Sequence, residues 1–382
     1  QNGASTNWES QGADAGKYDN SDIHAVRILA MEPTSHLSYG PGNVGGGANL
    51  NFQNEAHERL RILGEIPLRK YDAVGNPILD IEGNPDTSFL AKIPADVPYT
   101  FQTLDKNGVV LNASQTWHQV RPGEIRNDCG GCHAHAQAPL GFSTTEAAKP
   151  GYQVMDLANV TPLLSKDTNG NPELTTSPEG AVDVEYYRDI KPILQRSCVQ
   201  CHSENGRQEA ALVLDDESIV NSYENTYNRL ADDSGATYGI PPLVKVGSSP
   251  VWRQTNQSRY IRAFQSRRSL LAWKIFGQRL DGWTNEDHPS AATLGDATTL
   301  PGWDANNPSS SANRALINRS DLDFTGTIMP PPGSSVPALT EDEKILFARW
   351  IDLGTPITRP DSDRQQSGWF ADELRPTLEI GR

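Results

Sequence analysis

The sequence predicts an α+β protein in which a small N-terminal β-domain precedes a mainly α-helical domain. Short apolar runs separated by Gly-Asn and Asn-Gly turns occupy residues 58–125, which is a pattern typical of β-hairpins. Segments with helical spacing and a helix-capping sequence follow residue 181. With 382 residues the chain is long enough for more than one domain, and 36% hydrophobic residues with 32 Gly and 27 Pro predict many loops.

The composition divides the chain into four predicted parts. Residues 1–57 are rich in Gly, Asn, Ser and Asp, so we expect an extended N-terminal arm. Residues 58–180 form the predicted β-domain and residues 181–360 the predicted helical domain. Residues 361–382 are polar but contain Trp and Phe, so we expect a C-terminal docking tail.

The strand signals are clearest in two places. Residues 60–68 are a predicted strand, and residues 100–104 and 109–111 are predicted to pair around the turn Asp105-Lys-Asn-Gly108. Residues 167–172 carry several Asn and Asp side chains, and we interpret them as a plain turn rather than a calcium loop.

Three helices are predicted, over residues 182–196, residues 258–280 and the segment after Thr340. The last begins with Thr340-Glu-Asp-Glu343, a capping box in which the Thr side chain accepts from the first amides. Gly354 is predicted to end this helix by adopting the left-handed backbone conformation that is common just after a helix C-terminus.

The formal net charge of −15 argues against nucleic acid and anionic membrane surfaces as partners, since both require clustered Lys and Arg. It suits a basic redox partner. No apolar run is long enough to span a bilayer. The chain starts at Gln1 without a Met, and we interpret this as a mature terminus left by signal-peptide cleavage.

All four cysteines occur in two copies of one motif, Cys-Gly-Gly-Cys-His at 129–133 and Cys-Val-Gln-Cys-His at 198–202. This is the attachment signature of c-type haem: the thiols bond to two vinyl groups, and the His is the proximal iron ligand. The motifs predict two covalently bound haem c groups. The thioether residues are Cys129, Cys132, Cys198 and Cys201, and the proximal ligands are His133 and His202.

Other interpretations of the cysteines fit less well. A zinc site usually places its cysteine pairs about 15–20 residues apart, whereas 65 residues separate Cys132 from Cys198. A thioredoxin-like pair needs a βαβ context, which neither motif has. Because haem c is attached outside the cytoplasm, the motifs predict a periplasmic, cell-surface or secreted protein.

The distal iron ligands decide whether each haem can bind substrate. For the second haem we predict Met329, one of three Met residues, with His288 as the alternative. For the first haem we predict a histidine and rank His118 and His135 first. The remaining histidine candidates are His24, His36 and His57.

Two stretches resemble known families. Residues 63–67 (Leu-Gly-Glu-Ile-Pro), 93–98 and 117–124 (Trp-x-x-x-Arg-Pro-Gly-Glu) are similar to the haem-bearing part of hydrazine synthase alpha-subunit-like proteins. Residues 187–202, with Met-Pro-Pro-Pro at 329–332 and the last helix, resemble the planctomycete-type cytochrome c domain. This second resemblance implies a class I cytochrome c-like fold for residues 181–360.

We therefore expect an exported dihaem c-type cytochrome that transfers electrons and is not itself an enzyme. One hypothesis has the N-terminal arm donating a His to a neighbouring subunit, so that the chain polymerises into an extracellular conducting filament, or nanowire, or forms a homo-oligomer. The alternatives are a dihaem enzyme such as a cytochrome c peroxidase, and a module in which haem only organises the fold.

Overall fold

The structure is a computed structural model, and it describes residues 15–32, 52–53, 59–114, 116–127, 141–167, 169–178, 180–206, 210, 212–221, 223–233, 237–238, 244–245, 251–252, 257–262, 264–286, 302–307, 310, 312 and 323–358. The first Cys-x-x-Cys-His motif and the predicted tail at 361–382 lie outside these residues.

The described secondary structure is mostly strands and irregular segments. The strands are β1 (Ala25–Glu32), β2 (Phe52–Gln53), β3 (Arg59–Pro67), β4 (Ala91–Lys92), β5 (Tyr99–Leu104), β6 (Val110–Ala113), β7 (Met155–Asp156), β8 (Thr161–Lys166), β9 (Pro172–Ser177), β10 (Ile219–Val220), β11 (Tyr223–Glu224), β12 (Val244–Lys245), β13 (Val251–Trp252) and β14 (Ile357–Thr358). The α-helices are α1 (Lys191–Ser197), α2 (Asn225–Ala231), α3 (Leu270–Phe276) and α4 (Glu341–Asp352).

The main sheet has four antiparallel strands in the order β3-β1-β5-β6. The predicted strand at 60–68 and the hairpin at 100–111 are both confirmed, and Gly108 N donates to Asp105 O over 3.1 Å in the hairpin turn. The sheet also has a strand that was not predicted. Residues 25–32, assigned to the arm from composition, form β1 between β3 and β5.

A buried group of charges joins the sheet to α4. Arg27 Nε donates to Glu65 Oε1 (2.7 Å), and Arg27 Nη1 lies 3.2 Å from Asp352 Oδ2. Arg349 Nη2 binds the other oxygen of Glu65 at 2.6 Å. The hydrogen bonds and ion pairs among these four groups offset the cost of taking them out of water.

The last helix follows its prediction. Thr340 Oγ1 accepts from Glu343 N at 3.2 Å, and Glu343 Oε2 accepts from Thr340 N at 2.9 Å, which confirms the capping box. Gly354 follows the helix with φ = +83°, a left-handed conformation that suits a residue without a Cβ.

The predicted class I cytochrome c-like domain over 181–360 is wrong. Three of the four helices described there have only seven residues, and strands or irregular segments connect them. The continuous helix predicted over 258–280 is reduced to a 3₁₀ turn at Ser266–Arg268 and to α3. The reason is competition from serine side chains: Ser258 Oγ accepts from two amides and Ser269 Oγ accepts from Arg262 N.

One hydrophobic core connects the sheet and the helices. It includes Leu29 and Ile62 from the sheet, Leu194 from α1 and Trp350 from α4. The sheet and the segment after residue 181 therefore bury their apolar faces against each other. Cys198 packs partly against the rim of this core, which places the second cysteine motif there.

Candidate haem sites

Helix α1 positions the second motif. Ile193 and Leu194 are buried on its inner face, which fixes the helix against the core. The backbone amide of Cys198 donates to Leu194 O at 2.8 Å, so the first cysteine continues directly from the last helical turn.

The motif itself forms a compact turn. Cys201 N and His202 N each donate to Cys198 O at 3.1 Å, and Leu214 N donates to His202 O at 2.8 Å. The side chains of Cys198, Cys201 and His202 are all half-buried. Two sulfurs and one imidazole are thus held on a short stretch of backbone beside the apolar core, as a covalently attached haem requires.

The environment of Cys198 argues against a redox thiol pair. Burial raises the pKa of the Cys198 thiol to about 12, although Arg196 nearby opposes the shift. A reactive or zinc-binding cysteine needs the thiolate form, which this site disfavours. Within the described ranges, no cluster of three His, Cys, Asp or Glu residues is arranged to hold a metal ion.

Residues 328–339, here called the distal segment, carry Met329. Met329 N donates to Lys274 O of α3 at 2.8 Å, and Ile328 packs so close to Gly277 that a Cβ there would lie 2.8 Å from Ile328 Cβ. The segment forms most of the wall of a cavity of about 350 Å³, and Met329, Leu339 and Lys344 line it. The half-buried Met329 therefore borders a cavity with a largely apolar lining.

One contact joins the distal segment to the second motif, and another joins α4 to α1. Ser335 Oγ donates to Gln200 Oε1, which lies between the two cysteines, at 3.0 Å. Arg196 binds Glu343 with two hydrogen bonds of 2.6 and 2.8 Å. Two thiols and an imidazole on one turn, joined by a hydrogen bond to a segment that carries a thioether, are a donor set that fits a haem c group.

The segment that precedes the first motif is anchored to strand β5. His118 exchanges two backbone hydrogen bonds of 2.8 Å with Tyr99 of β5. Its ring stacks on Phe101 with centroids 5.9 Å apart. Trp117 beside it is 40% exposed, a large apolar surface close in sequence to the first pair of cysteines.

The segment that leaves the first motif is anchored as well. Asp86 Oδ2 accepts from Glu146 N at 2.9 Å, and Ser88 Oγ accepts from Ala147 N at 3.0 Å. Burial opposes ionisation of Asp86, but hydrogen bonds from Ser88, Glu146 and Lys70 lower its pKa to about 2. Both flanks of the first motif thus attach to the β-rich half of the molecule.

Of the other histidine candidates, only His24 lies in the described part of the chain. It immediately precedes β1 and is half-buried, and its pKa is lowered by burial and by Arg69. The remaining predicted residues lie outside the described part of the chain: Cys129, Cys132, His133, His135, His36, His57 and His288. The contacts of Gln200, Ser335 and Arg196 were not predicted, because hydrogen bonds between distant polar residues leave no sequence signal.

Comparison with known proteins shows similarity to one enzyme subunit. The family described as the hydrazine synthase alpha subunit middle domain matches residues 21–134. The hydrazine synthase subunit alpha of Kuenenia stuttgartiensis is 27% identical over 278 residues, which cover 61% of this chain and 33% of that protein. The solved Kuenenia stuttgartiensis hydrazine synthase covers 91% of this chain and 40% of its own, with 18% identity and a TM-score of 0.45.

These similarities correct one prediction and limit others. The chain was predicted not to be an enzyme, and its similarity to a synthase subunit contradicts this. The chain spans about a third of that subunit's length. The relative is named as an enzyme subunit, so the comparison gives no support to the filament hypothesis. In the described part of the chain, every helix is too short or too polar to cross a membrane.

Proposed function

We propose that this chain carries two covalently bound haem c groups and is the haem-bearing part of an extracytoplasmic redox enzyme of the hydrazine synthase alpha type. The observation that carries the proposal is the second motif, which is held at the end of α1 and joined through Gln200 to the segment that carries Met329. The matching motif at 129–133 supplies the second attachment point.

A haem at the second motif would supply electron transfer. Cys198 and Cys201 would hold the porphyrin, and His202 and Met329 would be the protein ligands of its iron. An iron with two protein ligands has no open position for substrate, so it accepts and releases electrons only. The apolar core against which Cys198 packs would lower the polarity of the surroundings of this haem.

The first haem is where chemistry on a substrate would occur if its distal position is open. Cys129, Cys132 and His133 hold it, and His118 and His135 are the candidate distal ligands. A His ligand there would make the chain a relay within the enzyme, whereas an open position would make this haem catalytic. The dihaem peroxidase alternative stays a prediction, since no contact in the described residues favours it.

Partners follow from the same proposal. The chain matches part of a protein named as a subunit, so we expect it to assemble with further polypeptides. The acidic surface, with a net charge of −15, suits a basic partner or donor protein.

Peptide mapping by mass spectrometry of the natively purified protein tests the proposal. We expect the peptides spanning 129–133 and 198–202 each to carry the mass of one haem. Peptides with unmodified or disulfide-bonded cysteines at either motif would contradict it. Electron paramagnetic resonance of the same sample then separates six-coordinate from five-coordinate iron and so distinguishes a relay from a catalytic haem.

A further inference from the structure

We propose that Gln200 and Ser335 form a clasp that holds the distal segment closed over the second motif and so keeps Met329 on the iron. The proposal rests on the haem site described above. Neither residue touches the iron. Both act through Met329, and they are therefore positioning residues.

The geometry of the distal segment gives the clasp its role. The segment is fixed at one end by the hydrogen bond from Met329 N to Lys274 O, and at the other by the capping box of α4. Between these ends most residues from 331 to 338 are exposed. Ser335 lies in this exposed stretch, and its 3.0 Å bond to Gln200 ties the stretch to the cysteine motif.

The ion pair of Arg196 and Glu343 supports the clasp from the side. Arg196 lies on the last turn of α1, two residues before Cys198, and Glu343 is in the first turn of α4. Because the bond is bidentate, it fixes orientation as well as distance between the two helices. Gln200 follows α1 and Ser335 precedes α4, so the ion pair sets the spacing of the two helices that flank the clasp.

The clasp matters because a thioether is a weak ligand of ferric iron. An external ligand such as imidazole can bind only when the segment opens and Met329 leaves. Its apparent affinity therefore scales with the population of the open form. Loss of one solvent-exposed hydrogen bond should raise that affinity about threefold to tenfold.

The test is an imidazole titration of the ferric holoprotein, followed in the near-red charge-transfer band that Met-ligated haem c alone shows. Gln200→Ala and Ser335→Ala should each raise the apparent affinity by this factor. The double variant should add little, because both changes remove the same bond. Ser335→Thr keeps the hydroxyl and should bind imidazole with the same apparent affinity as the parent protein.

Matched variants separate the clasp from general loosening. Gln195 is an exposed Gln on α1, the helix that precedes the motif, and Gln195→Ala should leave the titration unchanged. Glu343→Gln retains a side chain that can cap Thr340 but loses the ion pair with Arg196, so it should also raise the affinity. Thermal unfolding of each variant reports any global change.

The outcomes are distinct. The clasp is overturned if Gln200→Ala and Ser335→Ala bind imidazole no more tightly than Gln195→Ala does. It is also overturned if the effects of the two changes add fully in the double variant. Both results leave the haem assignment standing. A parent protein without the charge-transfer band overturns it too, since Met329 is then not on the iron. A peptide at 198–202 without haem removes the proposed function together with the clasp.

Discussion

At the scale of single residues, the assignment of Met329 is the most consequential. The chain has three Met residues, and Met329 lies in the segment that Ser335 joins to the second motif, whereas Met31 lies in β1 and Met155 in β7. The sequence position before three prolines predicted this residue. The structure adds the neighbouring contacts through Ser335 and Gln200.

Replacing Met329 by His should change the redox behaviour of the second haem. A thioether ligand raises the reduction potential relative to an imidazole, so Met329→His should lower it by a sizeable part of the roughly 0.8 V range that axial ligands span. Spectroelectrochemical titration measures this. Met155→Ala is the control, and an equal shift in both variants would argue that Met329 is not a ligand.

The two buried carboxylates differ because the arginines are shared unequally between them. Glu65 takes short bonds from both Arg27 and Arg349, and although burial opposes it, these cations lower its pKa to about 2. Asp352 has one longer contact with Arg27, so burial prevails and raises its pKa to about 7. The two groups therefore give opposite pH dependences.

Asp352 should make the free energy of unfolding fall as pH rises from about 4 to about 7. In that window the folded protein keeps a proton on Asp352 that the unfolded chain releases, an effect of at most about 4 kcal/mol. Asp352→Asn should abolish this slope. Urea unfolding across the window checks it, and a variant that keeps the parent slope would refute the assignment.

At the scale of elements, local signals predicted some segments well. The hairpin around residues 105–108 and helix α4 each carry their start and stop signals within a few residues. Strand β1 was missed because Arg27 interrupts its apolar pattern and polar residues surround it. The partners that make a buried Arg acceptable, Glu65 and Asp352, are 38 and 325 residues away in sequence.

The capping box of α4 should contribute measurably to stability. Thr340→Ala removes the acceptor for Glu343 N and should lower the free energy of unfolding by about 1 kcal/mol. Thr340→Ser retains the hydroxyl and should stay close to the parent. Chemical denaturation compares the three proteins, and equal losses in both variants would show that the hydroxyl is not the cause.

At the scale of the whole molecule, the helices of the described residues are too short to build a separate cytochrome domain. Their apolar residues instead join those of the sheet in one core. The capping box predicted where α4 begins, but not that its buried face packs together with sheet residues such as Leu29 and Ile62. Contacts between segments far apart in sequence leave no periodicity, which is why the fold class was mispredicted.

The shared core predicts cooperative unfolding of the sheet and the second haem site. Ile62 lies in β3 and is fully buried, so Ile62→Ala should cost about 2–5 kcal/mol. The unfolding midpoints measured by far-ultraviolet circular dichroism and by Soret absorbance should both fall to the same lower temperature. Ile81, 68% exposed, is the control, and Ile81→Ala should change stability by less than about 0.5 kcal/mol.

Separate transitions for the two signals in Ile62→Ala would mean that the sheet and the haem-bearing segment unfold independently. The shared core would then be too weak to couple them. Coincident transitions would support one folding unit, in which the cysteine motif owes its geometry to the β-rich half as well as to α1.

The account depends most on two porphyrins being covalently attached to one chain. The most direct measurement is the pyridine haemochrome spectrum of the purified protein after extraction with acidic acetone, quantified against the protein concentration. We predict that the colour stays with the protein, with the band position of thioether-bound haem and two haems per chain. Colour that passes into the acetone, or a protein without haem, would contradict the account.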